Sequence, residues 1–275
     1  MSEKLDELLS AMEARLNADV LTLFGPILHG VERKVREALE SLPERRRKLA
    51  VILHSGGGVV EVAERMVTVI RHHYSEVVFI VPDIAMSAGT VFVMSGDAIM
   101  MDYASCLGPI DPQVERDGKL VPARSYLLQY ERLIQKAKDN ALTTPEFAIL
   151  QGYDQAELHS FRMACNLSIE LLVKWLSTFK FKDWTLTETA RTPVTAETRE
   201  ARAREIANLL MDNERWGSHG RGISSKVLRE ELNLRINDLE DDRVLSSLVR
   251  QYFELGIDFM VRNNLGHFAH SREFL

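Results

Sequence analysis

Cysteine is scarce in this 275-residue chain, with only Cys106 and Cys165 present. Two isolated thiols make neither a disulfide framework nor a zinc-ligand spacing, so a reducing, cytoplasmic setting is expected, with no metal and no cofactor. Basic charge is also in deficit, with 34 Lys and Arg against 40 Asp and Glu and a net charge of −6. That balance argues against a general nucleic-acid binder, which needs a net basic face. The sequence has no apolar run of the roughly 18 residues that a membrane span requires. Its opening segment, MSEKLDELLSAMEARL, is charged and amphipathic and lacks the apolar region of a signal peptide. Internal repeats at solenoid periods are absent too. What is present is 45% hydrophobic residues, and a chain of this length can bury about 70–75% of its unfolded surface. Of the fifteen glycines, nine fall between Gly25 and Gly118, where the chain also reads as most strand-like.

The first 18 residues carry Leu5, Leu8, Leu9, Met12 and Leu16 at helical spacing, a stripe expected to dock on its own domain or on a second copy. Short apolar runs at Asp19–Phe24, Lys48–His54, Glu76–Val81 and Ala98–Met101 read as buried strands. Between them, residues 29–42, Val59–His73 and Met86–Ser95 read as helices. Continuous apolar strands alternating with helices are the pattern of parallel βαβ units covered on both faces, so the expected class is α/β. From Ala123 to Lys180 the period is almost purely helical, after a turn at Asp117-Gly118. Thr185–Glu200, polar and containing Pro193, reads as a linker or exposed loop. Helical period resumes over 196–211 and 244–261.

Three junctions could carry chemistry. His54-Ser55-Gly56-Gly57-Gly58 lies between a strand and a helix, where glycines turn the backbone sharply and leave N–H groups facing outward. It reads either as a tight turn or as an anion or oxyanion loop. It lacks the Gly-Lys-Ser/Thr of a phosphate loop and the glycine spacing of a dinucleotide site. Ala85-Met86-Ser87-Ala88-Gly89-Thr90 puts Ser87 at a second strand-to-helix junction, as a helix cap or as a nucleophile with the Ala88 amide as oxyanion donor. Ser105 to Gln113, with Gly108-Pro-Ile-Asp-Pro112, reads as a stiff loop at the carboxyl end of a sheet. The remaining histidines and basic runs have plainer readings. His72-His73 close a helix, His267 and His270 fall in what reads as a frayed tail, and Arg45-Arg46-Arg47-Lys48 reads as a solvated turn.

Together these three junctions resemble the Clp/crotonase superfamily. Within it the chain is similar to the serine dehydrogenase proteinase family, relatives of signal-peptide-peptidase-A-type and Clp-type serine peptidases. The resemblance spans residues 19–115 and resumes over His219-Gly-Arg-Gly-Ile-Ser-Ser225 through Ile236. It implies a repeated ββα/βαβ spiral core with a largely helical C-terminal half. Residues 1–18 would be an N-terminal helix, 19–180 the core with its long helices, and 181–275 a helical region completing the fold. It also implies a serine peptidase acting on peptide or protein substrates and assembling as a homo-oligomer. By motif position Ser87 matches the nucleophile, and Gly57 or Gly58 with the Ala88 amide matches the oxyanion hole.

The proton acceptor departs from the relatives. Clp-type enzymes carry a histidine in the loop matching 105–113, yet no histidine lies between His73 and His159, and their aspartate would fall near Arg221. Signal-peptide-peptidase-A-type relatives use lysine. Lys119 is the preferred lysine here, against a plain solvated turn lysine, while Lys136 and Lys138 sit on a charged helix face. Arg124 stands near the relatives' lysine but cannot act as a base. His219, in the run Trp216 to Gly222, is the other possible base, or else a structural histidine. Two readings besides a peptidase stay open: a catalytically impaired Clp-fold assembly module, and a crotonase-like acyl-CoA enzyme.

Overall fold

The apolar runs become the strands of a mostly parallel sheet. The computed structural model describes residues 1–116, 118–187 and 191–275. The chain begins with α1 (Ser2–Leu16), β1 (Asp19–Phe24), α2 (Val31–Glu40), β2 (Lys48–His54) and α3 (Val60–His73). It continues through β3 (Glu76–Val81), the short β4 (Ile84–Ala85), α4 (Ala88–Val93), β5 (Ala98–Met101) and β6 (Cys106–Leu107). A hairpin of β7 (Gln113–Arg116) and β8 (Lys119–Pro122) leads into α5 (Ala123–Lys138), α6 (Thr144–Gln151) and α7 (Gln155–Trp175). A π-helical turn, Leu176–Lys180, ends α7. There follow α8 (Ala196–Met211), α9 (Asn213–Trp216), β9 (Ile223–Ser224), α10 (Ser225–Glu230), β10 (Asn237–Asp238), α11 (Arg243–Arg262) and β11 (Phe268–His270).

The main sheet has the order β10-β5-β3-β2-β1-β11, all parallel except β11. A second sheet, β4-β6-β9, forms where β2 and β3 end. Strand alternation explains why β1 to β3 read as unbroken apolar runs. Leu21, Leu23, Leu49, Val51, Leu53, Val77 and Phe79 face a core shared with α2, α3 and α4. Their neighbours Val20, Phe24, Ala50, Ile52 and Ile80 face a second core under α1 and α11. Both faces are therefore dry, as a parallel sheet requires. The stripe on α1 is buried in the same molecule, with Leu5, Leu9 and Met12 fully enclosed against α11.

Three expectations need correction. The tail is no frayed end: Phe268–His270 is an antiparallel edge strand on β1, and His270 is buried, bonded to Tyr252 Oη at 2.7 Å and Asp6 at 3.0 Å. Pairing with β1 supplies the backbone partners that a short tail otherwise lacks. The basic run before β2 is partly tied down. Arg46 donates its N–H to Asp19 and reaches the Ala18 carbonyl, and Arg272 from the tail bonds Glu13 at 2.8 Å. Glu13 and Asp19 are buried, and buried carboxylates need such partners. The polar stretch 185–200 is only partly a loop. Leu186 bridges Pro193, and α8 already starts at Ala196 on a Thr195 cap; residues 188–190 lie outside the described residues. The turn expected at Asp117-Gly118 joins β7 to β8, with Gly118 at φ +72°; Asp117 itself is outside the described residues. Among the described residues no helix is long and apolar enough to cross a membrane.

Candidate active site

Ser87 sits between β4 and α4 with φ +52° and ψ −118°, a conformation that a non-glycine residue rarely adopts. It makes no capping hydrogen bond with its side chain, so the plain helix-cap reading does not describe it. A strained serine at a sharp strand-to-helix turn presents its hydroxyl outward and persists only where surrounding contacts enforce it. The enforcing contacts are visible. Met86 N–H donates to the Ser55 carbonyl at 2.9 Å, and Gly89 N–H to the Met86 carbonyl at 2.8 Å. Behind them the fully buried Thr90 hydroxyl lies 2.7 Å from the Ala85 carbonyl and accepts the Gly108 N–H at 2.9 Å. Thr90 thus joins the serine turn to the Gly-Pro loop. The irregular turn is also why α4 begins at Ala88, two residues later than its period suggests.

The glycine loop abuts this turn. A Cβ on Gly57 would stand 2.8 Å from Ser87 Cβ, and one on Gly58 would stand 2.2 Å from the Ile27 carbonyl oxygen. Both glycines have positive φ, +105° and +145°, so residue type is dictated twice over. Gly57 N–H donates to Ser55 Oγ at 3.1 Å. Ile27 pairs with the Gly57 carbonyl and the Val59 N–H, which turns the Gly58 N–H away from that bridge. Among the described residues, the Gly58 and Ala88 amides have no acceptor.

Register then brings two distant residues to the same place. Ala85 pairs with Leu107, and Leu107 pairs antiparallel with Ile223. Two residues past Ala85 is Ser87, four past Leu107 is Asp111, and four before Ile223 is His219. Asp111 and His219 meet: His219 Nδ1 lies 2.9 Å from Asp111 Oδ1, and Gln113 Nε2 donates to Asp111 Oδ2 at 2.8 Å. Asp111 is fully buried and the His219 side chain is a quarter exposed. A carboxylate only accepts, so Nδ1 carries the proton and a neutral His219 ring keeps Nε2 as acceptor. Asp111 carries no site assignment from the sequence, although the loop that bears it does: this chain places the acid in the loop and the histidine in the late element.

Other candidates lie elsewhere. Lys119 is exposed on β8 opposite Arg116, rather than in the buried, crowded setting a lysine base needs. Lys136 pairs with Glu146, and Arg124 with Glu131 at 3.8 Å. His54 packs its ring 5.0 Å from Phe253 on the α11 side, and burial lowers its pKa. Its Nδ1 is 3.3 Å from Asp83 but lacks hydrogen-bond geometry. Burial raises the Cys106 thiol pKa and pushes Cys165 up to about 11, so neither is an activated nucleophile. Among the described residues no group of three His, Cys, Asp or Glu could hold a metal. A cleft of about 650 Å³ opens beside the Asp111 loop between α5, α7 and α8, floored by Leu127, Cys165 and Met211 and rimmed by Arg124, Glu131 and Asn208.

Residues 23–151, somewhat under half of the chain, match the family of ClpP-like SDH-type serine proteinases. Two uncharacterized proteins of Methanocaldococcus jannaschii are similar. MJ1495 is 31% identical over 110 residues, covering 40% of this chain and 35% of that protein. MJ0137 is 32% identical over 116 residues, covering 42% and 39%. The chain thus spans well under half the length of these relatives. Among solved structures, an alanine mutant of the 1510-N membrane-bound stomatin-specific protease is similar at 17% identity and a TM-score of 0.34, over 43% of this chain and 63% of that one.

Proposed function

We propose that the protein is a serine peptidase in which Ser87 is the nucleophile, His219 the general base and Asp111 the residue that orients it. The observation that carries this reading is the bond between His219 and the buried Asp111, on loops that adjoin β6 and β9, while Ser87 follows β4, the strand paired with β6. Ser87 Oγ attacks the scissile carbonyl carbon as its proton passes to His219 Nε2. Asp111 Oδ1 holds the Nδ1–H and stabilises the imidazolium. The tetrahedral oxyanion accepts from the Gly58 and Ala88 amides, with Gly57 giving the close approach. The imidazolium then protonates the leaving amine, and water, deprotonated by the same ring, hydrolyses the acyl-serine. The exposure of Lys119 favours His219 as the base.

The substrate is a peptide or protein segment, with the cleft beside Asp111 open to its side chains. The remaining features of this reading are the Clp/crotonase spiral core, a homo-oligomer assembled through the helical segment 123–178, and a cytoplasmic location. The test is labelling with a fluorophosphonate probe. Covalent labelling of the wild type that disappears in both Ser87→Ala and His219→Ala supports the mechanism. Folded wild type that does not label overturns it in favour of an assembly module. Turnover of an acyl-CoA thioester that survives Ser87→Ala favours a crotonase-like enzyme.

A further inference from the structure

Asp111 is fully enclosed, and among the described residues its carboxylate has two side-chain partners. His219 Nδ1 stands 2.9 Å from Oδ1, and Gln113 Nε2 donates to Oδ2 at 2.8 Å. A carboxylate only accepts, so the amide nitrogen of Gln113, not its oxygen, faces Asp111. Each oxygen thus has one donor, and the carboxylate plane is fixed at two points. The peptidase reading uses the first contact and leaves the second without a task.

The chain on either side holds Gln113 in place for this contact. Pro112 locks its own φ and keeps Asp111, the residue before it, in extended backbone. Ile110 N–H donates to the Leu210 carbonyl at 3.0 Å, and Ala123 N–H to the Pro112 carbonyl at 2.9 Å. Gln113 itself stands opposite Pro122 at the root of the β7–β8 hairpin. The end of α8, the start of α5 and the hairpin therefore fix the backbone from which the amide reaches back to Asp111.

A buried anion short of donors is costly. Without Gln113, Oδ2 loses its donor and the carboxylate is free to turn about its last bond. Oδ1 is then no longer held against the Nδ1–H of His219, and the ring loses the constraint that keeps Nε2 open as the acceptor.

We propose that Gln113 is a positioning residue for the acyl-transfer reaction: it orients the Asp111 carboxylate and, through it, the His219 ring. This rests on the peptidase reading, which uses Asp111 and His219 but gives Gln113 no role.

The test is steady-state kinetics of the full chain on a peptide substrate, with the rate of fluorophosphonate labelling as a second measure. It compares wild type, Gln113→Met, Asp111→Asn and the double variant, each checked for folding by circular dichroism. Methionine keeps the length of the side chain and removes the donor. Gln113→Met should lower kcat about 10–100-fold, the worth of a hydrogen bond to a charged group, with KM little changed. In the Asp111→Asn background the same change should cost nothing further, because there Gln113 holds the amide oxygen and turns its NH2 toward His219. A residue that merely supported the loop would lower activity equally in both backgrounds. Gln113→Asn keeps the amide but withdraws it by one methylene; it should show the same loss and serves if the methionine variant does not fold. Wild-type kcat in a Gln113 variant, a loss that falls on KM alone, or an equal loss in both backgrounds overturns the inference. Wild type that neither labels nor cleaves removes the peptidase reading and this inference with it, whereas the former outcomes leave that reading standing.

Discussion

His219 Nδ1 and Asp111 Oδ1 meet at 2.9 Å across 108 residues of chain. β6 and β9 pair antiparallel with Leu107 opposite Ile223, and the loops that leave Leu107 and lead into Ile223 carry these two side chains. Replacing Asp111 by Asn keeps the shape and the Gln113 contact but reverses the Nδ1 partner, favouring the wrong tautomer. Activity should fall by about 10³–10⁴-fold in kcat with KM little changed. Steady-state kinetics on a peptide substrate, or the rate of fluorophosphonate labelling, measures this. A variant within tenfold of wild type would remove Asp111 from the mechanism.

Gly57→Ala should damage both the fold and the site. The added methyl would lie 2.8 Å from Ser87 Cβ and 2.9 Å from the Met86 carbonyl, on a residue at φ +105°. A strained non-glycine conformation costs about 1–3 kcal/mol, and relieving the clash moves Ser87. Urea denaturation should show a loss of that order, and Ser87 labelling should fall in the protein that remains folded. Gly30→Ala is a control, since nothing lies near its Cβ although its φ is also positive.

Thr90→Val keeps shape but strips the hydroxyl that links the Ala85 carbonyl to the Gly108 N–H. Leaving those buried groups unpaired costs about 1–3 kcal/mol each. The expected outcome is a lower urea midpoint with an unchanged m-value. Labelling of Ser87 should slow as well, because the turn loses its tie to the loop bearing Asp111.

Stability should decline in acid through buried histidines. Burial first, then Lys34, lowers the His267 pKa to about 4; burial lowers that of His270 despite the Asp6 contact. Below the ordinary histidine value of 6.5 the unfolded chain takes up protons that the folded chain refuses. The contribution of these histidines is therefore level above about pH 7 and falls as pH drops from about 6.5 toward 4. Allowing for its partial solvent access, His267 accounts for about 1–2 kcal/mol of this. Denaturation curves across that range should show the slope, and His267→Gln should flatten it. An unchanged slope in the variant would exclude His267 as the source.

Much of the architecture is legible in the residues because buried parallel strands must be apolar on both faces. The runs at 19–24, 48–54, 76–81 and 98–101 are the observed strands to the residue. The two-residue strands β4, β6, β9 and β10 are too short to show a period, and β11 looks like any polar-ended tail until β1 supplies its partner. The candidate site divides the same way. Glycines at 57 and 58 and a serine between small residues mark a turn in any order of reading, because positive φ and close approach restrict residue type locally. The pairing of Asp111 with His219 carries no local signature, since it depends on the pairing of strands far apart in the chain. Local backbone constraint is written in the sequence, whereas the meeting of two side chains 108 positions apart is decided only when the sheet closes.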